Sequence, residues 1–173
     1  MNFNLEELRI EPLTPKYFNE NLELMNSVIL ESHFLARIKE VTKEESNGFI
    51  EHFFQLPNAI YLIAIYNNQL IGHIYAIPRV EELISHIVYI GYLVRDSYRN
   101  KGVCSKLIEN LIKEAREKNE IKIMVAEVAE DNKASTGLLK KYGFEEFGRI
   151  KNGFMKKSKE FIDFLYFSRH LYE

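Results

Sequence analysis

The stretch that decides the fold is Tyr92-Leu93-Val94-Arg95-Asp96-Ser97-Tyr98-Arg99-Asn100-Lys101-Gly102-Val103-Cys104. It joins an apolar run, Ile87 to Val94, to a run that begins at Val103 and has apolar residues at helical spacing. The first run is β-branched and aromatic and carries no charge, which predicts a buried strand. A helix that opens at Gly102 presents unpaired backbone N–H groups and the positive end of its dipole. With Arg99 and Lys101 beside it, this turn is predicted to bind a phosphate group.

Length and composition predict one globular domain. The chain has 173 residues, enough to bury one substantial core, so residues 1–173 are expected to form a single domain. Lys and Arg number 23 against 25 Asp and Glu, which excludes the strong positive field of a general nucleic-acid binder. Cys104 is the only cysteine, so no intrachain disulfide can form.

The start of the chain and its apolar runs indicate where the protein works. Residues 1–7 contain neither the basic segment nor the apolar segment of a secretory signal. The longest apolar runs, Ala59 to Tyr66 and Ile87 to Val94, are shorter than the roughly 20 residues that a membrane-spanning helix needs. We therefore expect a soluble, cytoplasmic protein with no membrane partner and no nucleic-acid partner.

The first third of the chain predicts one strand and two helices. Leu8 to Leu13 alternates and is typical of a short strand, after which Thr14 and Pro15 can begin a first helix. The sequence Thr42-Lys43-Glu44-Glu45 is a capping box that predicts the start of a second helix, which Pro57 ends. The buried stripe of the first helix is predicted to consist of Phe18, Leu22, Met25 and Ile29.

The middle of the chain predicts a hairpin followed by a strand, a helix and a strand. Residues 59–77 form two apolar runs joined by Asn67-Asn68, a pair that tolerates the positive φ of a type I′ turn. A strand is expected from about Ile84 to Val94, then a helix that ends near Asn119, then a strand over 121–128. This helix therefore links two parallel strands.

The last third completes the prediction. Residues 131–141 indicate a fourth helix, and 144–150 indicate a strand. Residues 151–160 carry lysines and a glycine and are expected to form a solvated loop before a last strand over 161–168. The predicted fold class is α/β, a mixed and mostly antiparallel sheet with a central parallel strand pair, flanked by about four helices.

The basic turn resembles the signature of the GNAT superfamily of acyl-CoA-dependent N-acyltransferases. That signature is Gln or Arg, two residues, Gly, one residue, then Gly or Ala, and an apolar strand residue lies five positions before it. Here it reads Arg99-Asn100-Lys101-Gly102-Val103-Cys104 after Val94, with Cys104 in place of the usual Gly or Ala. The turn lacks the glycine patterns of a P-loop or a Rossmann turn, so nucleoside triphosphate and NAD sites are excluded.

A second family pattern follows at the expected spacing. An apolar strand ends in Glu127-Val128, Asn132 comes after three further residues, and the next helix closes on Tyr142-Gly143-Phe144. The resemblance covers about residues 8–171, and its parts agree in order, so the chain is identified as similar to GNAT enzymes along almost its whole length.

The resemblance implies that acetyl-CoA is the co-substrate. Its pyrophosphate would lie on the backbone amides of residues 99–104, and its pantetheine arm would run between the fourth and fifth strands where they splay. A backbone N–H near Val94 would polarise the thioester carbonyl, and a neutral primary amine would attack it without a covalent enzyme intermediate. The residues implied to contact the cofactor are Leu93, Val94, Arg99, Asn100, Lys101, Gly102, Val103, Cys104, Asn132 and Leu139.

The proton acceptor departs from the family pattern. A lysine-like amine is about 0.1% neutral at pH 7 or less, so a base has to remove its proton. The family often places this base on the fourth strand, but the positions there hold Val88 and Ile90, which cannot accept a proton. We predict Glu127 as the base, with a solvated or hydrogen-bonded strand carboxylate as its other interpretation. The alternatives are His86 and a water chain to Glu81 or Glu82.

The proton donor departs as well. The usual tyrosine seven residues after the Asn is Leu139 here. Tyr142 lies three residues later, about 60° round the helix, and we predict it as the acid, although it can equally be a packing residue. Cys104 at a helix start can be a nucleophile or a small residue packed against the pyrophosphate, and the pattern favours the second.

The leading prediction is an acetyl-CoA-dependent N-acetyltransferase that acts on a primary amine of a small metabolite or of a protein. The alternative is a non-catalytic acyl-CoA-binding regulatory domain, which Val88 and Leu139 keep open. The histidines lack the spacing of a metal site, so no metal is expected. The protein can be a monomer or a homodimer.

Overall fold

One seven-stranded sheet runs through the protein. The computed structural model describes residues 3–172, so Met1 and Asn2 of the N-terminal stretch, and Glu173, lie outside the described residues. The strand order is β1-β2-β3-β4-β5-β7-β6, and every neighbouring pair is antiparallel except β4 and β5. The predicted fold class, with its central parallel pair, is confirmed.

The strands and α-helices follow one another in the order that the sequence predicts. The strands are β1 Arg9–Pro12, β2 Ile60–Tyr66, β3 Gln69–Pro78, β4 Ile87–Val94, β5 Ile123–Ala129, β6 Glu145–Met155 and β7 Phe161–His170. The α-helices are α1 Phe18–Glu31, α2 Lys43–Gln55, α3 Val103–Lys118 and α4 Lys133–Lys141. Short 3-10 turns cover Leu5–Glu7, Pro15–Tyr17, Glu82–Ile84 and Asp96–Tyr98. Among the helices of the described residues, none is long and apolar enough to cross a membrane.

The sheet is covered by helices on both faces. On the α3/α4 face, a large cluster unites the sheet with the apolar sides of α3 and α4, including Leu107, Leu111 and Leu139. On the α1/α2 face, a second cluster unites it with Leu24 of α1 and Phe53 of α2. Because side chains alternate along a strand, each strand residue belongs to one of these two faces.

Two local predictions are confirmed in detail. Asn67 and Asn68 have φ values of 48° and 60°, as a type I′ turn between β2 and β3 requires. At the start of α2, the Thr42 hydroxyl accepts from the Glu45 N–H, and the Glu45 carboxylate accepts from the Thr42 N–H. Both features depend on neighbouring residues only, which is why the sequence predicts them well.

The predicted buried stripe of α1 is wrong in part. The helix buries Asn21, Leu24 and Val28 together with Ile29, and Phe18, Leu22 and Met25 are only half-buried. Asn21 turns inward because its amide donates to the Tyr61 hydroxyl at 2.9 Å and its carbonyl lies 2.7 Å from His73 Nδ1. A polar residue that finds partners on the sheet has replaced an apolar residue at the centre of the helix face.

The predicted loop over 151–160 is also wrong. β6 continues to Met155 through two irregularities in its register with β7, and Asn152 in the second has a φ of 55°. Phe154 anchors the extension because it packs with Ala129 and Ile162. Lysines on an exposed edge strand resemble a loop in sequence, so the true turn is confined to residues 156–160.

The Thr42 capping box gives a test of local stability. We expect Thr42→Ala to lower the free energy of unfolding by about 1 kcal/mol, because it removes a satisfied N-cap. Thr14→Ala is the matched control, since Thr14 also precedes a helical turn but its side chain makes no cap hydrogen bond. Urea denaturation measures both variants, and equal losses would contradict this account.

Candidate active site

The parallel strands β4 and β5 separate after three residue pairs. Their pairing begins at Ile87 and Ile123 and ends at Tyr89 and Val125. Both strands continue beyond that point, β4 along β3 and β5 along β7. The sheet therefore contains a wedge-shaped opening, here called the gap, in the place where the sequence predicts the pantetheine arm.

Backbone groups point into the gap. The Arg95 N–H donates to the Ile71 carbonyl, so alternation turns the N–H and C=O of every second β4 residue away from β3. Tyr92 and Val94 consequently direct their backbone groups toward β5, beyond the end of the ladder. On β5, the Glu130 N–H donates to Asp163, and the same alternation directs the backbone of Glu127 into the gap.

The predicted phosphate turn follows β4 directly. Asn100 and Gly102 have φ values of 58° and 85°, and α3 begins at Val103 with the Lys106 N–H bonded to the Gly102 carbonyl. The N–H groups of the first helical turn lack partners within the helix, so they remain available to an anion. A Cβ at Gly102 would lie 3.1 Å from the Leu5 side chain, so glycine is required for conformation and for space.

The cationic side chains of this turn brace it. The Arg99 guanidinium donates to the Val94 carbonyl at 3.1 Å and to the Asp96 carboxylate at 2.8 Å. Lys101 donates to the Ser97 carbonyl at 2.8 Å and lies over the rings of Phe3 and Tyr98. The turn therefore offers a ligand ordered backbone amides more than free positive charge.

Cys104 has the properties of a packing residue. Its side chain packs against the core of the α3/α4 face. Burial raises the pKa of its thiol to about 12, with a smaller opposing effect of Arg99. Such a thiol is protonated at neutral pH, which favours the packing interpretation over the nucleophile.

The α3/α4 side of the gap also receives residues from α4. The side-chain amide oxygen of Asn132 accepts from the Ser135 N–H at 3.1 Å, which caps α4. Leu139 is fully buried in the core of the α3/α4 face, and Leu93 packs on the opposite face of the sheet. Tyr92 packs against the α3/α4 core, and its buried hydroxyl makes no hydrogen bond of normal geometry among the described residues.

Glu127 lies on the α1/α2 side of the gap. It is the cross-strand neighbour of Tyr166, its side chain is exposed, and partial burial of the carboxyl raises its pKa above the usual range. Its charge also raises the pKa of the Tyr75 hydroxyl, second to burial. Tyr75 reaches it because its ring lies over Gly91, where any Cβ would overlap the ring.

The other candidate bases lie elsewhere. His86 precedes β4 at the paired end of β4 and β5, and its carbonyl accepts from Lys122 and Ile123. Glu81 is exposed and bonded to Arg79 at 3.0 Å, and Val88 is fully buried. Of the carboxylates that the sequence suggested, Glu127 is the one placed on the open half of β5.

Tyr142, the predicted acid, faces α3. Its hydroxyl donates to the Glu109 carboxylate at 2.7 Å, in an exposed hydrogen bond, and its carbonyl accepts from Arg169. To reach a sulfur in the gap, this hydroxyl has to exchange Glu109 for the ligand.

Sequence reasoning missed the contacts of four residues. Gly91 and Tyr75 act together only because β3 and β4 place them opposite each other. The Tyr92 hydroxyl gives no sequence signal, because its isolation depends on α4. Lys157 donates to the carbonyls of Ile29 and Leu30 at 3.1 and 3.3 Å, so the β6–β7 turn is tied to the end of α1 on the α1/α2 face.

Comparisons with known proteins agree with this geometry. A model of the acetyltransferase (GNAT) family matches residues 26–144. An L-amino acid N-acetyltransferase of Escherichia coli is 26% identical over 119 residues, 69% of this chain and 73% of the relative. An N-alpha-acetyltransferase of Sulfolobus acidocaldarius is 27% identical over 114 residues, 60% of this chain and 66% of the relative.

The fold is also similar to that of a protein whose crystal structure has been solved. The crystal structure of a GNAT-family acetyltransferase from Streptococcus pneumoniae superposes with a TM-score of 0.87 at 26% identity, covering 95% of this chain and 99% of that one. The separated β4 and β5, the turn at Gly102 and the helix cap at Asn132 therefore occur in a fold shared with acetyltransferases. The available amides of the turn and of β4 fit the pyrophosphate and arm of acetyl-CoA.

The turn can be tested through Gly102. We expect Gly102→Ala to weaken acetyl-CoA binding at least about 10-fold, because a side chain at positive φ forces the amides out of position. Isothermal titration calorimetry measures the affinity, and circular dichroism checks that the variant folds. The control is Gly48→Ala in α2, where a Cβ meets nothing within 4 Å. A Gly102→Ala protein with unchanged affinity would sink the pyrophosphate assignment.

Proposed function

The chain belongs to the acetyltransferase (GNAT) family and is an acetyl-CoA-dependent N-acetyltransferase, and we propose that its acceptor is an α-amino group. Acetyl-CoA is the co-substrate. The enzyme predicted from the sequence is thereby confirmed, and the alternative of a non-catalytic binding domain loses its support. The acceptor and the catalytic residues are the new parts of the proposal.

The observation that carries the proposal is the placement of Glu127. It is the acidic residue on the open half of β5, its backbone faces the gap, and its carboxylate lies on the face opposite α3 and α4. An acceptor that approaches from the α1/α2 side meets this carboxylate before it meets a thioester held in the gap. Glu127 is therefore proposed as the base that removes the proton from the attacking ammonium.

The modest strength of this base favours an α-amine. A peptide α-amino group has a pKa of about 7.7–8.0 and is roughly 10–20% neutral at pH 7, whereas a lysine side chain with a pKa near 10.4 is about 0.04% neutral. Glu127 is exposed, and its pKa is raised by partial burial alone. A carboxylate of this kind suits an acceptor that loses its proton easily. Of the two relatives compared above, one is named an L-amino acid N-acetyltransferase and the other an N-alpha-acetyltransferase.

A second group is needed to stabilise or protonate the CoA sulfur as it leaves. Tyr142 stays a prediction for this role, and it requires the hydroxyl to leave Glu109. The protonated Cys104 thiol supports direct attack by the amine in a ternary complex, without transfer of the acetyl group to the enzyme. A cytoplasmic location is part of the proposal, because Cys104 is the only cysteine and no intrachain disulfide can form, and so is a single domain built on the one sheet.

An acceptor panel tests the proposal directly. Thiol release from acetyl-CoA is measured with a short peptide that bears a free N-terminus, with the same peptide N-terminally formylated but carrying a lysine, with free L-amino acids and with a polyamine. We expect turnover with the free peptide or the L-amino acids and little with the formylated peptide. Transfer to lysine or to the polyamine alone would contradict the α-amine assignment.

The pH dependence tests Glu127. Because burial raises the pKa of this carboxyl, its basic form is lost as the pH falls through a value above the usual glutamate range, and kcat should fall with it. Glu127→Gln should lower kcat by about 100-fold at neutral pH and remove that acidic limb.

A matched control separates the base from a general charge effect. Glu114 on α3 also has a pKa raised by burial, but it lies on a helix remote from the α1/α2 face, so Glu114→Gln should keep both kcat and the limb. A Glu127→Gln enzyme with an unchanged pH profile would show that another group removes the proton.

A further inference from the structure

Tyr92 occupies an unusual position on β4. It lies beyond the last paired residue of the β4–β5 ladder, so its backbone faces the gap. Its ring packs against the core of the α3/α4 face, between α3 and α4. Part of the residue is accessible, yet the hydroxyl oxygen itself is buried. The side chain therefore places a polar end at the inner wall of the gap.

The hydroxyl makes no hydrogen bond of normal geometry among the described residues. Burial of an unsatisfied hydroxyl is unfavourable, and a phenylalanine would fill the same space without that penalty. Two polar groups act on its pKa besides burial: the Ser135 side chain at the start of α4, which lowers it through a weak hydrogen-bond interaction, and Cys104 at the start of α3, which raises it. Both helix starts border the path that we expect the pantetheine arm to take. The available O–H of Tyr92 therefore points to a ligand bound in this path.

The position at which the family has a proton donor holds a residue that cannot donate a proton in this chain. Leu139 holds that position and is fully buried. Ser135 lies one helical turn before Leu139 on the same side of α4, and Tyr92 approaches this side from β4. A hydroxyl from the strand consequently lies opposite the helix face from which the family donates a hydroxyl.

We propose that the Tyr92 hydroxyl donates a hydrogen bond to the sulfur of the cofactor and stabilises it as it leaves. This inference rests on the acetyl transfer described above and adds the residue that serves the leaving group. It also assigns a purpose to a buried polar atom that the fold leaves unpaired.

The tyrosine acts as a hydrogen-bond donor and keeps its proton. Burial raises the pKa of its hydroxyl to about 12, whereas a free thiol has a pKa of about 8.5, so full transfer to the thiolate is unfavourable. In the reaction, the amine nitrogen bonds to the carbonyl carbon, the carbon–sulfur bond breaks, and its electron pair stays on sulfur. Glu127 passes the ammonium proton to water before the attack, the second proton that the nitrogen loses as the amide forms also leaves to water, and the thiolate later takes one proton from water.

Binding measurements test the contact without turnover. The affinities of CoA and of desulfo-CoA, which lacks the sulfur, are compared by isothermal titration calorimetry for the wild-type protein and for Tyr92→Phe. We expect the preference for CoA to fall by about 5-fold in the variant, because one hydrogen bond to sulfur is lost. Tyr172→Phe is the control, since Tyr172 is exposed near the C-terminus and bonds only to His170 among the described residues.

Kinetic and stability measurements distinguish this role of Tyr92 from a purely structural one. We expect Tyr92→Phe to lower kcat by about 10- to 100-fold, with KM for acetyl-CoA within about 3-fold, because the donor acts on the departing sulfur. The thermal midpoint of the ligand-free variant should equal or exceed that of the wild type. A lower midpoint, an unchanged kcat or an unchanged preference for CoA over desulfo-CoA would each overturn the proposal.

Two further outcomes separate the competing assignments. If Tyr142→Phe removes the preference for CoA and Tyr92→Phe does not, the donor is Tyr142 and the proposal is overturned. If the wild-type protein rejects every α-amine, the proposed acceptor is wrong, but the two affinities still decide the role of Tyr92 because they need no acceptor.

Discussion

The separation of β4 from β5 is the constraint on which the site depends. Inside a sheet, almost all backbone N–H and C=O groups are paired, and a buried group left unpaired costs about 1–3 kcal/mol. The ladder here ends at Tyr89 and Val125, and the backbone groups of Tyr92 and Val94 have no strand opposite them. An amide-bearing chain can take the place of the missing strand, as peptides do when they bind to sheet edges. A pantetheine arm bound in the gap, as we expect, would form the same interactions that build the sheet.

The gap connects two chemically different faces. On the α3/α4 face, the walls are apolar apart from a few hydroxyls and amides, which suits a cofactor arm. On the α1/α2 face, Glu127 lies beside Tyr75 and Tyr166, and Gly91 is required because the Tyr75 ring occupies the place of its side chain. Lys157 joins the β6–β7 turn to the end of α1 on the same side. In the proposed mechanism, the acceptor approaches from the α1/α2 face and the cofactor lies on the α3/α4 face.

The sequence predicts what neighbouring residues determine and misses what distant residues determine. The Thr42 box, the Asn67-Asn68 turn and the glycine turn at Gly102 are local, and the structure confirms them. The buried face of α1 depends on Asn21 meeting Tyr61 and His73, which are remote in sequence. The extension of β6 depends on Phe154 finding a small separate cluster. The resemblance to a family supplied the cofactor turn, but it could not supply Tyr92, because no tyrosine is expected there by the pattern.

The charged residues of the turn order its backbone and leave little free positive charge for a ligand. Arg99 and Lys101 are engaged with Asp96, Val94 and Ser97, so they hold the loop in shape before a ligand arrives. A turn that is already ordered loses little entropy on binding, and its amides remain aimed at one point. Tyr92 is likewise positioned before a ligand binds. Its buried hydroxyl makes no hydrogen bond of normal geometry, which lowers the stability of the ligand-free protein. The structure thus offers available donors at the helix start at Gly102, on β4 and at the Tyr92 hydroxyl. We expect recognition of the cofactor to depend on these donors more than on net charge.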